Sequence, residues 1–292
     1  MKLSTMTNYL NSLYGEEKAL QMIAEAGFDA VDYSMFLHED PKGILQDEHY
    51  RERAEKFRKM AAELGLSVNQ CHAPFRFDYT DPAGLDLAHR LLRRSLEAAG
   101  IMGVKNVVVH PLHYRKYAGN AKSVHAENLE LYRSLIPLAE EYGIRICAEN
   151  MWQWNGDRTK ILPDECAFPE EFAALIDEVD SSCVGACLDL GHAAITAKDV
   201  GYSPAAFIEK LGPRLKALHV HDNDGADDLH LAPYLGETDW NGVTEALRKI
   251  GYEGDFTFEA DCFLEKYPQE LLPTALKLLH DTGRALMARI LP

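Results

Sequence analysis

The sequence lacks the features that define several common protein classes. Its 292 residues include six Cys and no close CxxC pair, which argues against a disulfide framework or a zinc ribbon and for reduced thiols. No uncharged apolar run reaches the roughly 18 residues that a membrane span needs. The opening stretch MKLSTMTNYLNSLYGEEKAL lacks the apolar core of a signal peptide, so the expectation is a soluble, cytoplasmic protein. Positive charge is also scarce. Thirty Lys and Arg against 46 Asp and Glu leave a formal charge of −16, which disfavours nucleic acid or an anionic membrane as partner. Low-complexity tracts, charge blocks and Pro/Ser-rich linkers are missing, so nothing divides residues 1–292 into separate domains.

What is present is an alternation. Short β-branched runs at Lys2–Met6, Phe28–Tyr33, Ser67–Cys71, Asn106–Val109, Ile144–Ala148, Val184–Leu188, Leu215–Leu218 and Asp255–Phe258 read as strands. Helical periodicity runs between them through Glu16–Ala26, Tyr50–Leu64, Leu85–Ala99, Val124–Tyr142, Pro169–Val179, Pro204–Leu211 and Val243–Ile250, and Pro268–Ile290 follows the last strand. Gly27, Gly65, Gly143 and Gly251 stand where helices should stop. Eight strand-then-helix units predict a single (β/α)8 TIM barrel. The open alternative would carry a Gly-rich loop after its first strand, but Thr5-Met6-Thr7-Asn8-Tyr9 contains none.

Polar residues mark the strand ends. His72, His110, Glu149, Asp189, His219 and Glu259 each close a strand, at separations of 38, 39, 40, 30 and 40 residues, one β/α unit per step. Closing the barrel brings all six to the C-terminal rim of the strands, where such barrels hold active sites. Carboxylates mixed with imidazoles suit one divalent ion such as Mn²⁺, Mg²⁺, Co²⁺ or Zn²⁺. Clustered acids without a cation would repel one another. His192, three residues past Asp189, is expected in the loop above that strand, and His221 shares the His219 face if the strand continues. His230 flanks the same rim. Trp152 and Trp154 either stack on a ligand ring or pack a lid. Arg115-Lys116 and Arg158-Lys160 are the basic residues available in rim loops.

The ordered series Cys71-His72-Ala73-Pro74-Phe75, Val109-His110-Pro111, Ala148-Glu149-Asn150, Leu188-Asp189-Leu190-Gly191-His192, His219-Val220-His221-Asp222-Asn223, Asp228-Leu229-His230 and Glu259 resembles the xylose-isomerase-like barrel superfamily, which includes sugar phosphate isomerases and epimerases and endonuclease IV. The resemblance implies a metal-dependent isomerase or epimerase acting on a sugar or sugar phosphate. Its metal would be held by Glu149, Asp189, His219 and Glu259 and would stabilise an enediolate. It further implies Glu149 and Glu259 as the acid/base pair, with His72, His110, His192, Trp152, His221 and His230 as substrate contacts. His219 is favoured over His221 as ligand because its spacing to Asp222 fits the family. A homodimer or homotetramer is the expected assembly.

Two departures bear on substrate. Ketose 3-epimerases of this kind carry a Glu six residues beyond the first metal Glu and an Arg six beyond the metal His; here these positions are Asn155 and Gly225. Two rivals share the residues. An inosose-type dehydratase would use the same metal and enediolate. Endonuclease IV binds three zinc ions through nine ligands, with counterparts here at His72, His110, Glu149, Asp189, His192, His219, Asp228, His230 and Glu259; the acidic charge weighs against it.

Overall fold

A computed structural model describes residues 1–36 and 38–291. Among these residues ten strands form in chain order: β1 (Leu3–Met6), β2 (Ala30–Ser34), β3 (Ser67–His72), β4 (Asn106–Val109), β5 (Arg145–Glu149), β6 (Trp152–Trp154), β7 (Ile161–Pro163), β8 (Val184–Asp189), β9 (Leu215–His219) and β10 (Phe256–Phe258). Eight of them make one all-parallel sheet in the order β10-β1-β2-β3-β4-β5-β8-β9. Its ends meet through the parallel bridge Val220–Phe258, with Val220 N donating to Thr257 O and Glu259 N to Val220 O. The fold is therefore the expected (β/α)8 barrel, and the expected strands lie within one or two residues of those observed.

Helices cover the sheet because their apolar residues fall on one face. Leu131, Tyr132, Leu135, Leu138 and Ala139 of the helix Ala121–Tyr142 are buried. Gly27 and Gly143 end their helices at φ 100° and 64°, a conformation costly for any side chain with a Cβ. No helix among the described residues is long and apolar enough to cross a membrane.

Period-2 alternation builds the floor beneath the rim. Val108, Cys147, Cys187 and Ala217, each two residues before a rim residue, pack together as a small apolar cluster inside the barrel. The six cysteines are all free, as expected. Burial pushes the Cys147 thiol up to about 12, so it serves as an apolar floor residue and not as a thiolate ligand.

Three elements depart from the expectations. Asn8–Tyr14 is helical, and Trp152–Trp154 pairs antiparallel with Ile161–Pro163 as a hairpin where a loop was expected. His192 is not in a loop: it lies in the first turn of the helix Leu190–Val200. The reason is local. The Asp189 carboxylate accepts from His192 N at 2.6 Å, capping a helix that starts directly off the strand.

The long segment after β9 is organised by one buried acid. Asp222 accepts from Asn223 N, Thr238 N, Tyr234 N and Trp240 Nε1 at 2.9–3.1 Å and is fully buried. Four donors on one carboxylate tie residues 222–240 over the rim. Asp222→Ala should lower the free energy of unfolding by about 3 kcal/mol or more, because bonds to a charged group contribute roughly 1.5–3 each and their donors would be left buried. Urea titration measures this, and a shift below ~1 kcal/mol would contradict the assignment.

Candidate active site

His72, Glu149, Asp189 and His219 are the last residues of β3, β5, β8 and β9, while His110 and Glu259 come one residue past β4 and β10. Asp189 and His219 are direct register partners. Parallel strands in this register bring all six side chains to one rim.

The tightest convergence is on Nδ1 of His219. Glu259 Oε2 lies 3.0 Å from it, Glu149 Oε1 3.1 Å and Asp189 Oδ2 3.9 Å. One donor atom from each of the four residues falls within 4.8 Å of the others, and all four residues are buried. Burial works against charge here, yet the opposite charges prevail. Glu149 is held well below the usual carboxylate range by His219 and His110, and the surrounding acids push His219 well above the usual imidazole range. Three buried acids on one imidazole make a donor set that fits a divalent cation.

Other residues aim this set. Asp32 Oδ2 is 3.6 Å from His219 Nε2, so a carboxylate faces the ring nitrogen opposite the convergence. Gln70 Nε2 donates to the same Asp32 oxygen at 2.8 Å. Asn150 clasps Asp189: its Nδ2 donates to Asp189 O at 3.0 Å and its Oδ1 accepts from Asp189 N at 2.8 Å. His221 Nε2 donates to the Asp189 carboxylate at 2.9 Å, and the ring is fully buried. A Cβ on Gly191 would stand 1.9 Å from that ring, so glycine is what lets the ring approach Asp189. The structure thus places His221 beneath the cavity and not on its wall, and it is His219 that faces the two glutamates.

Three further groups of donors overlap or flank the first: His72, His219 and Glu259; His72, His110 and Glu149; and His192, His221, Asp228 and His230. Their tautomers follow from their partners. Backbone carbonyls of Ala73, Asn150 and Glu259 accept from Nδ1 of His72, His192 and His230 at 2.8–2.9 Å, which turns each Nε2 toward its second partner. Those partners are carboxylates. His72 Nε2 is 3.5 Å from Glu149 Oε2, and His192 and His230 Nε2 are 3.4 and 3.1 Å from Asp228 Oδ2. Protons or cations must lie between them. Burial alone would depress His192, but Asp189 and Asp228 raise it to about 10; His110, where burial dominates, falls to about 4.

A cavity of about 580 Å³ opens over the rim. Its wall includes His72, His110, Glu149, Trp152, His192, Asp228, His230 and Glu259, but not Asp189, His219 or His221. Trp152 is fixed there by Nε1 donating to Asp228 Oδ2 at 3.1 Å and meets Trp154 edge-on. Three of the four expected basic residues are engaged elsewhere. Arg115 pairs with Glu127, Lys160 with Asp199, and Arg158 lies over Trp154. Arg76 is the one Lys or Arg on the cavity wall among the described residues. The sequence reading missed Asp32, Asn150, His113 and Asp164. An acid in the middle of the buried strand Ala-Val-Asp-Tyr-Ser was the available signal for Asp32.

Residues 20–281 match the family described as xylose isomerase-like TIM barrel, and the chain belongs to that family. It is 32% identical to an uncharacterized protein of Methanocaldococcus jannaschii over 82% of this chain and 78% of that one. It is 25% identical to a D-psicose 3-epimerase of Enterocloster bolteae, covering 83% and 76% of the two chains. The fold also superposes on the IOLI protein solved with a binding zinc atom, at a TM-score of 0.76 and 19% identity over 100% of this chain and 99% of that one.

Asp32→Asn should weaken divalent-metal binding about 10- to 100-fold by loosening His219. Metal titration followed by calorimetry reads this directly, and unchanged affinity would remove Asp32 from the site's design.

Proposed function

We propose that the protein is a divalent-metal-dependent sugar isomerase or epimerase working by proton transfer beside a carbonyl. One observation carries the reading. Of the four convergent donors, only Glu149 and Glu259 also face the cavity, while Asp189 and His219 are sealed below. Two carboxylates are thus available to a bound substrate while the other two residues only hold. The D-psicose 3-epimerase relative supports the substrate class.

Glu149, Asp189, His219 and Glu259 would hold the cation, which when bound would polarise the substrate carbonyl as a Lewis acid. The chain's own groups do the rest. One glutamate removes the proton from the carbon next to the carbonyl, and the other returns a proton to that carbon or its neighbour. His72, His110, His192 and His230 line the wall and bind substrate hydroxyls. Trp152, its indole fixed by Asp228, offers an apolar face to the sugar ring.

A second reading rests on the flanking donors. All nine counterparts of the three-zinc nuclease set fall within the overlapping donor groups around Glu149, Asp228 and His219. Metal content separates the two. Three tightly held zinc ions per chain would overturn the isomerase, and a single exchangeable Mn²⁺ or Mg²⁺ would overturn the nuclease.

The direct test assays ketoses, aldoses, their phosphates and inososes in D₂O with added Mn²⁺. The expected result is metal-dependent deuterium incorporation beside the carbonyl; net loss of water would move the reaction to a dehydratase. Glu149→Gln and Glu259→Gln should each slow turnover by about 10²- to 10⁴-fold. Wild-type rates in both variants would refute the acid/base pair.

A further inference from the structure

Behind one wall of the cavity sits a buried acid that the reaction scheme does not use. Asp164, 1% exposed, follows the hairpin strand β7. Its Oδ1 accepts from Glu165 N at 2.8 Å, but its Oδ2 has no hydrogen-bond partner. A buried carboxylate oxygen without a donor is costly, so what it faces matters. It faces Nδ1 of His113, 3.6 Å away, and His113 lines the cavity.

The placement of His113 is built. The fully buried Asn128 holds the backbone of Leu112 at both ends: its Oδ1 accepts from Leu112 N at 2.6 Å and its Nδ2 donates to Leu112 O at 3.2 Å. That clamp fixes the segment after β4 one residue before His113. Burial also pushes the neighbouring Glu165 carboxyl up to about 8, against a hydrogen bond with Asn128 and with Asp164 adding to the rise. No protein group among the described residues bonds to His113 Nε2.

We propose that His113 is a substrate-contacting residue, held with Nδ1–H toward Asp164 so that its Nε2 lone pair is left to accept a hydrogen bond from a hydroxyl in the cavity. Asp164 is the positioning residue, because a carboxylate on one ring nitrogen sets which nitrogen keeps the proton. A lone-pair acceptor selects polyhydroxylated ligands at this wall and disfavours ligands bearing a carbonyl or phosphate oxygen there. The identity of the hydroxyl as a sugar's rests on the function proposed above.

Two measurements test it, and only one depends on that function. Imidazole nitrogen NMR on ¹⁵N-histidine-labelled protein, with the His113 signals assigned by their loss in His113→Phe, should show the Nδ1–H tautomer. Asp164→Asn should reduce that preference. An Nε2–H tautomer in the unaltered protein overturns the inference even if Asp164→Asn fails to fold. On whichever panel sugar is turned over, His113→Phe should raise KM about 2- to 10-fold with kcat little changed. His113→Asn, which keeps an acceptor oxygen, should recover part of the loss. Equal KM values for the wild type and His113→Phe would overturn it. If no panel sugar reacts, the sugar reading falls and the tautomer alone decides the inference.

Discussion

A single buried carboxylate, Glu149, constrains the whole rim. It is 1% exposed, and imidazoles of His72, His110, His192 and His219 stand 3.0–3.7 Å from its oxygens. These four rings come from four different strand ends or helix starts. Such a charge is tolerable inside a protein only if opposite charge or a cation meets it there. The strand register, the Asp189 cap and the carbonyl-fixed tautomers all serve to bring those partners in.

Around that centre the structure separates donors that face the cavity from donors that do not. The lower layer is a packed apolar floor of Val108, Cys147, Cys187 and Ala217. Above it, Asp189 and His219 are locked from behind by Asn150, His221 and Asp32, and they stay off the cavity wall. Glu149 and Glu259 occupy both layers. Under the proposed function, that placement would leave two carboxylates within reach of a ligand for proton transfer next to its carbonyl. The Trp152 hairpin and the segment tied by Asp222 enclose the space above, and water leaves a partly apolar cavity more readily.

Much of this was legible beforehand because two periodicities do not depend on context. Strand-helix alternation gave the barrel, and one rim residue per β/α unit gave the six side chains at its mouth. Elements that failed to read had signals shorter than a period. The hairpin Trp152–Trp154 with Ile161–Pro163 offers three residues per strand, too few for alternation to register. The helix Leu190–Val200 begins with no loop, and its start lies in a capping bond to a residue already assigned to the strand. For that reason residue spacing alone puts His192 in a loop.

The sequence alone determined the fold class, the rim and the identity of the residues that face one another there. These depend on side-chain order along the chain, which a regular backbone converts directly into position. Only the tertiary structure decided their surroundings. It separated His219 from His221 by which ring meets the glutamates, set Glu149 and Glu259 apart by their access to the cavity, and brought Asp32 and Asp164 to bear on histidines far away in sequence. Those distinctions rest on inter-residue distance, burial and hydrogen-bond direction, which arise when separate strands and loops pack.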